Sequence, residues 1–385
     1  MKRTAEVVII GGGCLGTSTA YHLAKLGLTN LVLVERDHML GTGSTGRNAG
    51  GVRHQFSSEA NIRLSIESIS LLERFQEEVG YEIDFHQDGY LFLLSTQDAK
   101  RAFHSNVQLQ RGLGVEVSEL SPEEAAKLAP GLSVEGVIGA TFCARDGIAD
   151  PNGVTMGFAK AAQSAGVEIN RDTEVTGIKI EAGKVSAVET NHGEISTRTV
   201  VNAAGPYARN IGFLAGLDIP VLPYRRHIFI TKPLAPPDAP SSRIMVIDFE
   251  TTFYFHREGA GILFGMSDPD EASTFDISVN WEFLERLIPI ASRRLPALGD
   301  SAIAHSWAGL YEVTPDATPI IGRAPELEGF YMINGFSGHG FQHSPAAGRL
   351  LADLIVKSET PDFDLRPFAY ERFSTGAIEP EKAVV

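Results

Sequence analysis

Gly11, Gly13 and Gly16 stand at the spacing G-x-G-x-x-G, directly behind a β-branched run, Glu6 to Ile10, and ahead of Thr17 to Gly27. The order reads strand, tight turn, helix. In that order each glycine has its own physical reason: the first permits the turn, the second lets the backbone approach a pyrophosphate, and the third lets the helix pack on the strand. The helix start then offers unpaired N–H groups and the positive end of its dipole to phosphate. A second run, Asn30 to Val34, ends on Glu35. A carboxylate there accepts both ribose hydroxyls and repels a 2′-phosphate, which favours FAD or NAD over NADP. This unit alone does not separate FAD from NAD.

Three further stretches of small residues could bring backbone against a flat ligand. Gly41 to Gly51 (GTGSTGRNAGG) offers short polar groups at Ser44, Thr45 and Asn48 and leads into Arg53, although its composition also fits a plain surface turn. Ile195 to Ala203 reads as a strand ending in Ala204-Gly205-Pro206; Gly205 there suits either a cofactor contact or helix packing. Asn334 to Gly340 (NGFSGHG) repeats the pattern of strand, glycine-rich turn and helix, with the helix expected from Ser344 to Lys357.

The elements that must position these stretches follow from periodicity. Ser58 to Val79 is an amphipathic helix. Tyr81 to Ser95 is a pair of strands turned at Gln87 to Gly89, and Asp98 to Leu113 is a helix. Ser121-Pro122-Glu123-Glu124 has an N-cap, a proline at N1 and acids in the first turn. Asn152 to Ala165 is helical, with strands at Val167 to Ile169, Glu174 to Ile180 and Lys184 to Thr190. From Pro220 to Ile303 the chain turns β-rich and aromatic, with a loop at Pro233 to Pro240 and a helix near Trp281 to Ile288. Glu379 to Val385 reads as a loose tail.

With 385 residues, 43% hydrophobic, the chain can bury about three quarters of its unfolded surface, enough for one or two cored domains. A net charge of −15 disfavours nucleic acid and anionic membrane surfaces as partners, so an anionic substrate needs a local cationic pocket. Two cysteines give no disulfide framework, no secretory signal precedes the first strand, and no apolar run is long enough for an integral membrane span. A reducing, cytoplasmic setting is expected, and the reading calls for no metal.

Five separated stretches together resemble the D-amino-acid oxidase superfamily of flavoproteins: VVIIGGGCLG with Glu35, GSTGRNAGGVRHQF with SSEANIRLS, VVNAAGP, TPDATPIIG, and GFSGHGFQHSPAAG. The resemblance is to the branch holding sarcosine oxidase, glycine oxidase and the β subunit of proline dehydrogenase. It implies an α/β fold: a Rossmann-like, glutathione-reductase-type FAD-binding domain with a mixed, largely antiparallel substrate-domain sheet. The discontinuous FAD-binding domain is expected at 1–80, 145–220 and 304–385, and the substrate domain at 81–144 and 221–303.

By motif position the resemblance puts the ADP half of FAD on Gly11, Gly13, Cys14, Leu15, Gly16, Glu35 and Arg36. The ribityl and ring region falls to Ser44, Thr45, Arg47, Asn48, Gly50 and Gly51. Val175 becomes the adenine-side backbone contact, and Ala203, Ala204 and Gly205 the second strand end. Gly309, Tyr311, Gly338, His339, Gly340, Phe341 and Gln342 fall near the ring, where N–H groups at the pyrimidine edge stabilise the negative charge of the reduced flavin. Arg53 matches the position that pairs with an amino acid's carboxylate, the alternative being an ion pair with Glu59. Tyr254 and Tyr224 are candidate substrate-side walls. His339 and Gln342 border the site. His54, His227 and His256 read as ordinary satisfied histidines.

Departures from the branch carry information as well. The cysteine that holds the flavin covalently in monomeric sarcosine oxidases falls at Gly309, so FAD is expected to be non-covalent. The oxygen-activating lysine falls at Leu263 and the carboxylate-assisting lysine at Gln342. These losses favour a dehydrogenase that passes electrons to another subunit or carrier. The expected activity is oxidation of the C–N bond of a small, preferably secondary, amino acid such as sarcosine, proline or glycine to an imine by hydride transfer to flavin N5. The alternatives are a 2-hydroxy-acid dehydrogenase of the same fold, a catalytically idle flavin-bearing subunit or assembly factor, and an NAD-linked enzyme.

Overall fold

Val7–Ile10 is buried along its whole length in the computed structural model, which describes residues 1–234 and 242–384. It pairs in parallel on both sides, with Leu31–Val34 and with Val200–Asn202. A strand covered on both faces has no polar face to alternate, hence its unbroken apolar run. The six-stranded sheet around it runs in spatial order Ile320–Arg323, Phe330–Asn334, Val200–Asn202, Val7–Ile10, Leu31–Val34, Glu168–Asn170. Only Ile320–Arg323 is antiparallel to its neighbour. The chain leaves Val7–Ile10 for one side and returns on the other, so the residues after these strand ends face one crevice, the usual place for a ligand in such sheets.

Three helices fix the geometry behind that crevice. Cys14–Lys25 packs between Pro151–Ser164 and Gly340–Lys357. The last contact is close enough that a Cβ on Gly348 would lie 2.3 Å from Ser18 Oγ. Asp150 caps Pro151–Ser164 by accepting from the amides of Asn152 and Gly153, with proline at the first helical position.

The second large sheet is mixed and largely antiparallel: Ile303–Val313, Leu222–Thr231, Gly261–Met266, Phe253–Glu258, Met245–Asp248, Tyr90–Leu94, Gly139–Cys143, Ser118–Leu120. Its one parallel pair joins Met245–Asp248 to Tyr90–Leu94. One face carries Phe229, Phe253, Phe255 and Phe264 and is covered by Phe283, Leu287 and Ala291 of the helix Trp281–Arg294. The opposite face presents Arg226, Ile228, Met245, Ile247 and Tyr254 to the crevice. Ile303–Val313 belongs to this sheet, so the sheet extends past residue 303, where the sequence reading returns the chain to the nucleotide-binding unit.

Four expectations are corrected by the structure. The helix expected over Ser58 to Val79 is two, Glu59–Glu73 and Phe75–Val79. The turn at Arg74 swings Phe75 inward, where its ring meets Phe158 at 4.9 Å. Phe85–His86 and Tyr90–Leu94 do not form a hairpin: the first pairs with Gly147–Ala149 in a three-stranded sheet that also holds Gly51–Val52, and the second joins the large sheet. The strand expected over Ile195 to Ala203 breaks at Thr197, whose hydroxyl bonds to the carbonyls of Glu6 and Thr199 and turns the chain from Gly193–Ser196 into Val200–Asn202. The expected loose tail is anchored: Glu381 and Ala383 are buried.

The N-cap expected at Ser121 forms, with Pro122 in the first turn, and Glu124 completes it as a capping box. Of the loop expected at Pro233 to Pro240, residues 235–240 lie outside the described residues. No helix among the described residues is long and apolar enough to cross a membrane.

Candidate active site

A cavity of about 740 Å³ runs along the carboxyl ends of the parallel strands and then under the second sheet. At one end it is lined by the first glycine turn. Gly11 has φ +112°, and a Cβ there would lie 2.3 Å from the carbonyl oxygen of Ala203; one on Gly16 would lie 1.9 Å from the carbonyl oxygen of Gly11. Only glycine fits either position. The helix that follows has no side-chain cap at Gly13, and the amide of Cys14 is taken by Thr45 Oγ1 at 3.2 Å. Glu35 is held at its strand end by two amides, Gly12 N at 2.6 Å and Asp37 N at 2.8 Å. Burial raises its pKa, against the pull of those hydrogen bonds. Arg36 lies over the Tyr207 ring at 4.2 Å, and Val175 lines the same end.

The Gly41 to Gly51 stretch is ordered by its own polar groups. Ser44 donates to the carbonyl of Leu310 at 2.6 Å, and Asn48 bridges the Thr45 carbonyl and the Gly50 amide. Arg47 donates to the carbonyls of Thr42 and Ala308. These side chains therefore line the cavity while holding the loop against Ile303–Val313. Gly51 is required by contact, because a Cβ there would overlap the Tyr90 hydroxyl at 1.7 Å.

Segments distant in sequence meet at the other end. Gly338 has φ +97°, and a Cβ on it would lie 2.4 Å from the Tyr311 ring. Arg53 is 3% exposed. Its guanidinium stacks on Phe56 at 3.9 Å and donates to the carbonyls of Gln55 and Ala383 and to His339 Nε2 at 3.1 Å. No ion pair forms with it among the described residues; Glu59, the alternative partner, pairs with Arg63. A guanidinium only donates, so His339 Nε2 must be the acceptor and the imidazole neutral. Burial and then the Arg53 charge hold its pKa well below the usual histidine value. Gln342 Oε1 accepts the backbone N–H of Arg53 at 2.8 Å.

Arg53 is fixed from behind by a buried network. Asp146 Oδ1 accepts from the amide of His54 at 2.8 Å and from its Nδ1 at 2.7 Å, and Oδ2 accepts from Gln55 Nε2 at 3.1 Å. His54, Cys143 and Asp146 sit within metal-ligand reach of one another. Both carboxylate oxygens are already engaged in this way, which gives the cluster a positioning role.

Every residue expected at the cofactor lines the cavity except Gly16 and Gly50, whose parts are steric. Tyr254 is on the wall, with its phenol pKa raised by burial; Tyr224 is not on it. Leu263 lies two residues from Gly265 on the same strand and also stays off the wall.

The sequence reading missed four charged residues of the lining: Asp37, Glu174, Arg226 and Glu312. Arg226 faces the cavity from Leu222–Thr231, 5.1 Å over the Tyr311 ring, with its Nε unpartnered. The adjacent Arg225 points the other way, to Glu271 and Asp276. Glu312 is buried on the wall with Oε2 unpartnered. For Arg226 and Glu312, a basic pair in an alternating strand and an acid near the end of a mostly apolar one were the available signals.

The glycine cradle, the uncapped helix start and the carboxylate at the second strand end fit an extended dinucleotide such as FAD. Comparison with known proteins agrees. The family model for FAD dependent oxidoreductases, DAO, matches residues 6–354. Mitochondrial sarcosine dehydrogenase of Mus musculus is 32% identical over 97% of this chain, which spans 42% of that protein's length. The chain thus covers well under half of that relative. FAD-dependent oxidoreductase domain-containing protein 1 of Bos taurus is 30% identical over 99% of this chain and 87% of its own. Among solved structures, L-proline dehydrogenase from P. horikoshii superposes with a TM-score of 0.91 at 37% identity, covering 99% of this chain and 100% of that one. Glycine oxidase from Geobacillus kaustophilus gives 0.85 at 26% identity, covering 96% and 99%. This chain belongs to the FAD dependent oxidoreductase (DAO) family.

Proposed function

We propose that the protein oxidises the C–N bond of a small amino acid, secondary amines such as proline or N-methylglycine first, to the imine. The observation that carries this reading is a pair of guanidinium groups, Arg53 and Arg226, at the end of the cavity away from Glu35. Neither has a carboxylate partner among the described residues. A buried cation without a counter-ion is costly, and a substrate carboxylate placed between the two offsets that cost.

The phenol and imidazole groups that line this end are uncharged near neutral pH, while the carboxylates of Asp146 and Glu381 act on Arg53 from behind it. The Tyr90, Tyr254 and Tyr311 phenols are pushed up, chiefly by burial, and the His339 imidazole is pushed down. The two guanidinium charges also lower the pKa of a nearby ammonium, so the substrate nitrogen is favoured in its neutral form. A neutral amine releases hydride from its α or N-methyl carbon without a side-chain base. The arginines orient that carbon, and the dry wall of Tyr254, Ile228 and Ile247 excludes water.

FAD, when bound, supplies the hydride acceptor. Gly11, Gly13 and the start of Cys14–Lys25 hold its pyrophosphate, Glu35 its ribose, and the Gly338–Gln342 turn its ring. The cofactor is non-covalent: position 309 is glycine, and a Cβ there would lie 2.9 Å from Arg47 Cβ. Leu263 leaves no lysine for oxygen activation on its strand, which supports electron delivery to another subunit or carrier. The test is anaerobic mixing of the holoprotein with proline, N-methylglycine, glycine and matched 2-hydroxy acids. Loss of visible flavin absorbance with the secondary amines is expected. Bleaching by hydroxy acids alone, or by nothing in the panel, overturns the proposal.

A further inference from the structure

Glu312 is a carboxyl group that the proposed chemistry does not use. It is the penultimate residue of the strand Ile303–Val313, is 7% exposed, and lines the cavity. Its Oε2 has no hydrogen-bond partner among the described residues. The two backbone positions beside it are glycines: an ideal Cβ on Gly205 would lie 3.7 Å from Oε2 and one on Gly340 3.4 Å from Oε1. The carboxyl therefore looks into the cavity between two bare stretches of backbone.

We propose that Glu312 binds FAD as a neutral carboxylic acid, donating its proton to an oxygen of the cofactor's ribityl–pyrophosphate stretch, and so couples FAD uptake to proton uptake. The proposal rests on FAD occupying this cavity. An ionised carboxylate here would face the anionic pyrophosphate across a poorly solvated gap, a like-charge repulsion that disfavours binding. A protonated one fills the vacant hydrogen bond of Oε2. Burial already raises its pKa to about 7, partly opposed by the amides of Gly335 and Phe336.

The neighbouring titratable groups do not confuse this proton. The Cys14 thiol on the first helix is pushed up to about 11 by burial, Tyr311 on the same strand is raised, and His339 on the adjoining turn is held neutral. None of them changes charge between about pH 6 and pH 8.5. The sign follows from linkage. A group whose pKa is raised further by the bound anion takes up a proton on binding once the pH exceeds its value in the free protein. FAD affinity is then constant below about pH 7 and falls above it, by up to about tenfold for each pH unit.

The experiment is FAD titration of the apoprotein by flavin fluorescence quenching from about pH 6 to about pH 9, in the wild type and in Glu312→Gln, which keeps a donor and cannot ionise. The wild type should weaken above neutrality; Glu312→Gln should bind with a flat pH profile. A wild-type profile that is flat, or a variant that keeps the wild-type slope, overturns the role of Glu312 while leaving FAD binding itself intact. Absence of quenching at every pH overturns both readings. Calorimetry of the wild type alone gives a second measure, using buffers of different ionisation heat. Near pH 8 at least about half a proton should be taken up per FAD, falling to almost none near pH 6. No uptake at pH 8 overturns the proposal.

Discussion

The end of the cavity at Gly11 and Glu35 is built around one contiguous stretch, with Val175, Ala203 and Tyr207 beside it, and its groups are mostly backbone: a helix start, two glycines pressed against carbonyl oxygens, and a carboxylate held by amides. The end at Arg53 and Arg226 draws on both large sheets, the last long helix and the chain's final residues, and its groups are side chains. A pyrophosphate is the same in every dinucleotide, so main-chain geometry suffices to bind it. A substrate must be told from its neighbours, and for that charge has to be placed in a dry space. The first end fails when a shape changes. The second fails when a charge is removed.

The largest expected effect falls on the charged end. Arg53→Ala should lower kcat/KM for carboxylate substrates by about 2 to 5 kcal/mol, because it removes a guanidinium fully withdrawn from water. Flavin content should be unchanged. Steady-state kinetics beside the flavin-to-protein absorbance ratio measure both, and a variant with wild-type kcat/KM leaves Arg53 a purely structural cation. Arg226→Ala should follow at about 1.5 to 3 kcal/mol, since its side chain is only half-buried and water can partly replace it. If the two losses are equal and additive, the arginines do not share one carboxylate, and the reading of a single anion between them fails.

Gly11→Ala tests the opposite end. Its φ of +112° and the 2.3 Å approach to Ala203 force the backbone to move. Overpacking of this kind costs about 1 to 3 kcal/mol. The expected outcome is a protein that purifies with little flavin and a lowered Tm, yet keeps its KM for substrate in the fraction that does hold FAD. A shifted KM with full flavin would show that the two ends are not separable.

The same contrast explains what was legible in the sequence. Gly11 to Gly16 with Glu35 is a local unit whose spacing carries its own geometry, and the residues read there, Gly16 apart, do line the cavity. Arg226 was not legible, because a strand bearing Arg225 and Arg226 in succession presents one to each face. Only the register against Ile303–Val313 and Gly261–Met266 decides which arginine faces inward. Glu312 was hidden for a similar reason: an acid at a strand end is ordinarily solvated, and only the three-dimensional approach of Gly205 and Gly340 buries it. Phe85–His86 and Tyr90–Leu94 satisfy a hairpin pattern locally, yet tertiary pairing sends them to different sheets. Glu379 to Val385 has the composition of a tail, and nothing in it announces the receptor it meets elsewhere in the chain.

That receptor gives the smallest predicted effect and the finest test of the comparison. Glu381 Oε1 accepts from Ser57 N at 2.7 Å, and Oε2 accepts from Ser58 Oγ at 2.8 Å and Asn61 Nδ2 at 3.0 Å, at the start of the helix Glu59–Glu73. Burial opposes ionisation of this carboxyl, but those hydrogen bonds outweigh it and hold its pKa below the usual glutamate value. A depressed folded-state pKa means that its stabilisation is present above the unfolded value, near about pH 4.3, and is lost as the pH falls through the folded one. Glu381→Gln should therefore cost about 1 kcal/mol in urea unfolding at neutral pH, with the two proteins converging in acid. Two residues on, the carbonyl of Ala383 accepts from Arg53 at 2.6 Å, so loosening the segment frees one N–H of the guanidinium. The variant should shift substrate KM while FAD affinity stays put. If FAD affinity moved and KM did not, the final residues would belong to the dinucleotide end, and the division of labour between the two ends would have to be redrawn.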